Sequence, residues 1–317
     1  MYNYENYTKV KEELERRRLD SIEAADARAE FLRSQSEEIA EIDKELSGTG
    51  LLLFKTACSG GDIAPIKKRN QELVKKKRAA IVALGYPEDF AEVKYHCPDC
   101  SDTGYNEKGA VCHCLREELI RATIVSSGIG KLIERQSFEN FDLNWYKDNP
   151  DAYARMAANL SVAKSYVKNF PKKKDNLLLI GKTGTGKTHV STAIAREIIS
   201  MGYDVVYDST HNIITDFEAD KFRSGYGTGY QPKSEKYLEC DLLIIDDLGT
   251  EFSSQFTVSC LYNLLNTRLN RGLATIISTN LSADELARKY EDRIYSRIVG
   301  TDSRVLVFVG RDHRLNA

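Results

Sequence analysis

The stretch LLLIGKTGTGKTHVSTAIAREII, residues 177–199, leaves this chain few folds to choose from. An apolar run enters a glycine-rich loop of the form G-x-x-x-x-G-K-[ST], and an amphipathic run leaves it. That context predicts strand, phosphate-binding loop and helix in succession. Glycines let the loop curl until its backbone N–H groups point inward, and the helix N-terminus adds a positive dipole end, so the loop favours an anion. Gly181, Thr183, Gly184, Thr185, Gly186, Lys187, Thr188 and His189 are the expected nucleotide-contacting residues. Within that set Lys187 should reach the β and γ phosphates and Thr188 should ligate Mg²⁺.

A phosphate loop of this kind needs a carboxylate at the end of a neighbouring buried strand. DLLIIDDLGTE supplies it, with Asp246 expected to hold Mg²⁺ and Asp247 to polarise the attacking water; Glu251 is a second candidate base. An Asp in the base position is one methylene shorter than a Glu and must lie closer to the water, so slow hydrolysis is expected. TIISTN (275–280) is another apolar strand ending in polar residues, and its Asn280, with Thr279 beside it, is positioned to sense the γ-phosphate. EDRIYSRIVG carries Arg293 and Arg297 four residues apart on one helix face, and Arg297 is a candidate arginine finger.

Around these motifs, short β-branched runs at 177–180, 205–207, 242–246, 275–279 and 305–309 alternate with helical stretches. The pattern predicts an α/β domain, a five-stranded parallel sheet covered on both faces. The 317 residues, 42% of them hydrophobic, allow about two domains. No apolar run reaches the ~18 residues of a membrane span and the first residues lack an apolar h-region, so a cytoplasmic protein is expected, with no membrane partner. Lys+Arg 45 against Asp+Glu 47 gives a net charge of -2, so any attraction to nucleic acid must be local.

The N-terminal third reads as helical. Residues 5–47 hold no Gly or Pro and repeat Ala25, Leu32, Ile39 and Leu46 at seven-residue intervals, which predicts one long helix. SGTG (47–50) and CSGGD (58–62) should punctuate the chain before a second helix over 64–84, forming a hairpin. Seven of the twelve residues from Lys67 to Arg78 are basic; they suit a phosphate or acidic partner as well as a solvated face.

Four of the seven cysteines fall within CPDCSDTGYNEKGAVCHC, residues 97–114. Cys97 and Cys100 form one close pair, Cys112 and Cys114 another, and a glycine-bearing loop joins them. Two chelating thiolate pairs are what a tetrahedral structural Zn²⁺ requires, and the thioredoxin-like unit expected around a redox pair is missing. His96 and His113 adjoin the cysteines as substitute ligands, while Cys58, Cys240 and Cys260 read as buried or half-buried residues. In a segment so short of apolar residues the metal supplies folding energy that a core cannot. Between the second and third strands, Lys221, Arg223, Tyr226, Tyr230 and Lys233 lie among glycines, a composition that suits single-stranded nucleic acid and equally a surface loop. PKKK (171–174) reads as a solvated turn.

Taken together, the phosphate loop, LLIIDDLGTE, IISTNL, DRIYSRI and the terminal GRDHRLN resemble the AAA+ ATPases of the DnaC/DnaI helicase-loader group, which includes the similar IstB transposition helper. The resemblance covers roughly residues 134–317. SFENFD (137–142) looks like that family's lead-in to the ATPase domain, and the cysteine segment looks like the zinc-containing N-terminal region of DnaI-type loaders. It implies an AAA+ P-loop ATPase domain over 134–317, preceded by a helical hairpin (1–90) and a zinc-binding segment with linker helix (91–133). It further implies ATP, Mg²⁺ and Zn²⁺ as cofactors, a hexameric DnaB-type replicative helicase and single-stranded DNA as partners, and a homo-oligomer when ATP is bound. Lys187, Thr188, Asp246, Asp247, Asn280 and Arg297 match the family's functional positions, with Arg314 at a late sensor position. The alternative within the group is an IstB-like helper that binds DNA and a transposase.

Overall fold

The computed structural model describes residues 3–223, 232–300 and 303–312. It divides into two compact units, Lys9–Leu115, and Arg116–Ala317 together with Met1–Thr8. No helix among the described residues is long and apolar enough to cross a membrane.

In the first unit, α1 (Tyr4–Gln35) and α2 (Glu37–Cys58) occupy the span expected to be one helix. The break is Ser36, whose extended backbone (φ −148°, ψ 118°) leaves its hydroxyl to accept from the Ile39 N–H as an N-cap. The seven-residue seam survives the break, since Ala25, Leu32 and Ile39 are all buried. SGTG does not interrupt the chain: it lies inside α2, which runs on to Cys58, and Cys58 itself is exposed. The hairpin forms instead around residues 59–63, where α2 turns back into α3 (Ala64–Ala83). Leu32, Ile39 and Ile81 make its small core, with Arg69 paired to Glu45 and Lys77 to Asp43 along its length. Of the basic run on α3, Arg78 pairs with Glu92, while Lys67, Lys68, Lys75 and Lys76 are exposed.

The second unit takes up the C-terminal part of α4 (His113–Ser126), the single turn α5 (Leu132–Arg135) and α6 (Pro150–Asn169) before the sheet begins. In chain order there follow β1 (Asn176–Gly181), α7 (Lys187–Ser200), β2 (Val205–Ser209), α8 (Thr210–Arg223), α9 (Glu235–Glu239), β3 (Leu242–Leu248), α10 (Gln255–Asn270), β4 (Ala274–Thr279), α11 (Ala283–Ile298) and β5 (Ser303–Phe308). All five expected strands are present and parallel, in the order β2-β3-β4-β1-β5. Because successive side chains leave a strand on opposite faces, Leu177 and Leu179 enter one core with Met156, Phe170, Ile194 and Ile198, while Leu178 enters another with Ile213, Leu261, Leu264 and Ile294. Lys174, expected in a solvated turn, instead pairs with Asp241 at 2.6 Å across the rings of Phe170 and Tyr203.

This strand order sets β3, β4 and β1 side by side. The phosphate loop after β1, the acidic end of β3 and Asn280 after β4 therefore emerge at the same edge.

Candidate nucleotide site and cysteine cluster

At that edge lies a cavity of about 570 Å³ lined by Thr183, Gly184, Gly186, Lys187, Thr188, His189, Asp246, Asp247 and Asn280. The loop takes the shape its glycines permit: Gly184 and Gly186 have φ of +74° and +93°, and α7 starts immediately after. Side chains are excluded there by close packing as well, since a Cβ on Gly186 would meet the Phe141 ring at 3.0 Å, and one on Gly184 would run into the Asp312 carboxylate. Lys187 is buried, and its ammonium donates to the carbonyls of Gly181 (2.7 Å) and Lys182 (2.9 Å) and to Asn280 Oδ1 (2.7 Å). Thr185 turns inward, its hydroxyl closing the loop on Lys182 O at 2.7 Å.

Neighbouring residues on a regular strand point to opposite faces, yet Asp246 and Asp247 both line the cavity. The reason is a bulge. Ile245 pairs with Ile277 but Leu248 pairs with Thr279, so three steps along β3 match two along β4. Asp247 absorbs the extra residue with φ +54°. Its Oδ1 lies 3.4 Å from Asn280 Nδ2, so Asn280 bridges Lys187 and Asp247. Asp246 accepts from the Ser278 hydroxyl through Oδ1 and from the Tyr207 phenol through Oδ2.

Three expected residues have other occupations. Glu251 accepts from Tyr290 and from the Gly249 N–H and pairs with Lys289 at 3.2 Å; it is 7% exposed and absent from the cavity wall, so a general-base role does not fit it. Thr279 spends its hydroxyl on Leu248 O at 2.7 Å, holding the bulge instead of facing phosphate. His189 faces the lead-in segment: Nε2 donates to Ser137 O (2.8 Å) and Asn140 Oδ1 (3.0 Å), and burial holds its pKa below the ordinary value.

The sequence reading missed the apolar wall. Leu132, Phe141, Trp145 and Tyr146 also line the cavity, with Phe141 and Tyr146 stacked at 6.2 Å and the Tyr146 hydroxyl donating to Thr185 O of the phosphate loop at 3.1 Å. SFENFD was visible as a motif, and its Phe141 was the available signal. Tyr207 had none, being one aromatic in a short β run.

Arg297 does not line this cavity. It lies over the Tyr262 ring at 4.3 Å and donates to Tyr262 Oη, Asn266 Oδ1 and Arg293 O, with no carboxylate partner among the described residues; Arg293 itself is exposed. Tyr226, Tyr230, Arg314 and the side chain of Arg223 lie outside the described residues.

In the other unit, the sulfurs of Cys97, Cys100, Cys112 and Cys114 all lie within 4.8 Å of one another. Cys97 and Cys112 are 3.7 Å apart and Cys100 and Cys114 3.4 Å, well beyond the ~2.05 Å of a disulfide. Zn–S bonds of about 2.3 Å in a tetrahedron place sulfurs about 3.8 Å apart, so the cluster fits Zn²⁺. The loop is built for it: Ser101 and Asp102 have φ of +53° and +58°, and Asp102 accepts from the N–H groups of His96 and Cys97. Burial would raise the Cys100 thiol, but the Gly104 N–H and the neighbouring thiols bring it below its ordinary value. His96 is exposed, whereas His113 lies 3.5 Å from Cys112 Sγ.

The IstB-like ATP binding protein model matches residues 108–299, well over half of the chain. The replicative helicase loader DnaC of Escherichia coli (strain K12) is 28% identical over 207 residues, 64% of this chain and 80% of that protein. The phage-like element PBSX protein XkdC of Bacillus subtilis (strain 168) is 25% identical over 248 residues, 73% of this chain and 88% of that protein. A crystal structure of the DnaC helicase loader aligns with a TM-score of 0.48 at 22% identity, covering 57% of this chain and all of that one.

Proposed function

Because the chain belongs to the IstB-like ATP binding proteins, and is thus a P-loop AAA+ ATPase, we propose that it loads a ring-shaped DnaB-type replicative helicase onto single-stranded DNA. The observation that carries this reading is the presence, in addition to the ATPase unit, of a separate compact helical unit that contains a four-cysteine cluster, which offers a docking module distinct from the motor. The similarity to a protein named as a replicative helicase loader supports it.

In the ATPase unit the phosphate-loop N–H groups and Lys187 bind the β and γ phosphates, for which Lys187 exchanges its present carbonyl partners. Thr188 and Asp246 would hold Mg²⁺, which would neutralise charge building on the phosphates. Phe141, Trp145 and Tyr146 cover the base. Asp247, oriented by Asn280, polarises water; its short side chain makes turnover slow, and ATP then times assembly more than it powers work. Arg297, held on Tyr262 away from its own cavity, serves a neighbouring subunit's nucleotide. In the other unit Cys97, Cys100, Cys112 and Cys114 hold a structural Zn²⁺.

Single-stranded DNA meets the face where Lys221 lies over the Phe256 ring at 4.7 Å, with Phe222 and Phe252 exposed nearby in sequence on α8 and before α10. Cations beside open aromatic rings suit phosphates and unstacked bases. A second reading within the same family is an IstB-like helper that binds DNA and a transposase, supported by the match to the IstB-like ATP binding proteins.

Co-purification separates the two. The full chain, wild type and Lys187→Ala, is presented to the host's replicative helicase with ATP and with ADP. Retention of the helicase by wild type, with a nucleotide dependence that Lys187→Ala lacks, supports the loader. No retention under any nucleotide sinks it, and retention of a transposase bait then supports the helper.

A further inference from the structure

Tyr207 lines the nucleotide cavity from β2, an edge strand of the sheet. Its phenol donates to Asp246 Oδ2 while Ser278 donates to Oδ1, so the plane of that carboxylate is set from both sides, and the Thr188 hydroxyl adjoins the same phenol. The other end of Tyr207 is tied elsewhere. An edge strand leaves its outward N–H groups without ladder partners, but the Tyr207 N–H donates to Ser127 O at 2.7 Å. Gly128, with φ +79°, then passes so close that a Cβ there would lie 2.5 Å from Tyr207 O. The connector following α4 is thus pressed against the backbone of a residue whose side chain holds Asp246.

We propose that Tyr207 is a positioning residue that orients the Asp246 carboxylate for Mg²⁺ and ties that orientation to the Ser127–Gly128 connector. The inference rests on the reading of Asp246 as the magnesium carboxylate. Groups that hydrogen-bond a metal-binding carboxylate are worth about 10–100-fold in metal affinity or activity. A shift of the connector moves the Tyr207 backbone, and the phenol carries that movement to the carboxylate.

The test is binding of a fluorescent ADP analogue to the full chain, with Mg²⁺ and with EDTA. Tyr207→Phe keeps the ring and the backbone N–H and removes only the donor. It is expected to shrink the Mg²⁺-dependent gain in affinity by about tenfold while affinity in EDTA stays at the wild-type level. An equal change in both buffers, or none in either, overturns the proposal. Gly128→Ala is expected to act in the same direction, with the double variant no worse than the stronger single variant, the mark of a shared route. Gly128→Asn, which accepts positive φ but keeps the Cβ contact, serves if the alanine variant melts early. Additive effects, or none from either Gly128 variant, overturn the connector half. Asp246→Asn separates the two levels: if it leaves the Mg²⁺-dependent gain intact, the magnesium reading itself has failed, whereas its loss alongside an unaffected Tyr207→Phe refutes the present inference alone.

Discussion

At the residue scale the cavity is a set of polar groups that hold one another until nucleotide arrives. Lys187 is parked on two carbonyls and Asn280, and Asn280 reaches Asp247. Lys187 is buried, and burial would penalise its ammonium if it were left without a partner. Glu251 belongs to a different set, with Tyr290, Lys289 and the Gly249 N–H. Glu251→Gln is therefore expected to lower unfolding free energy by about 1–3 kcal/mol and to leave ATP turnover per folded molecule at the wild-type level, whereas Asp247→Asn abolishes turnover with stability preserved. Denaturant unfolding and steady-state hydrolysis on the same samples check this; turnover lost with Glu251→Gln would return that residue to the mechanism. Lys187 and Thr188 were legible because the glycine spacing dictates a loop into which only they fit. Glu251 and Thr279 were misread because their partners, Tyr290 and the Leu248 carbonyl, are distant in sequence and close only after folding.

At the element scale two local devices decide the outcome. One is the β3 bulge, which turns two consecutive aspartates into one cavity. The other is the cysteine loop, where two pairs of thiols converge around positive-φ residues. Four neighbouring thiolates repel one another unless a cation stands among them, so with Zn²⁺ at this site the loop's fold and metal binding would be one equilibrium. Chelation is expected to release one Zn²⁺ per chain and to increase amide exchange through residues 96–115 while ADP affinity stays within error of the untreated protein. Native mass spectrometry and hydrogen exchange read the two effects; an unchanged exchange pattern after metal loss would end the structural role. The helix break at Ser36 belongs to this scale too. Periodicity carried a single helix across it because the seam is continuous, and only the Ser36 backbone, with its hydroxyl capping Ile39, shows the interruption.

At the scale of the whole molecule, each unit has its own core. The ATPase unit holds an arginine that its own nucleotide cavity does not use, supported on Tyr262 and Asn266. Arg297→Ala is expected to cut hydrolysis by about a thousandfold with ADP affinity intact. Mixing it with Lys187→Ala, which keeps its arginine but cannot turn over, is expected to restore a fraction of activity that rises with protein concentration. A mixture no more active than its components would place Arg297 outside any shared site.

The sequence alone determined the parallel α/β ATPase sheet, the phosphate loop and the cysteine cluster, because each is written in contiguous residues whose spacing leaves one geometry: apolar strand, glycine turn, helix, paired thiolates. Tertiary structure decided what those residues face. It put both aspartates in the cavity through a bulge, took Glu251 and Thr279 out of it, turned His189 toward the lead-in segment, and brought Tyr207 between Asp246 and the Ser127–Gly128 connector. Such contacts join residues tens of positions apart, and their free energy is realised only when strands pair in one register, which no local pattern records.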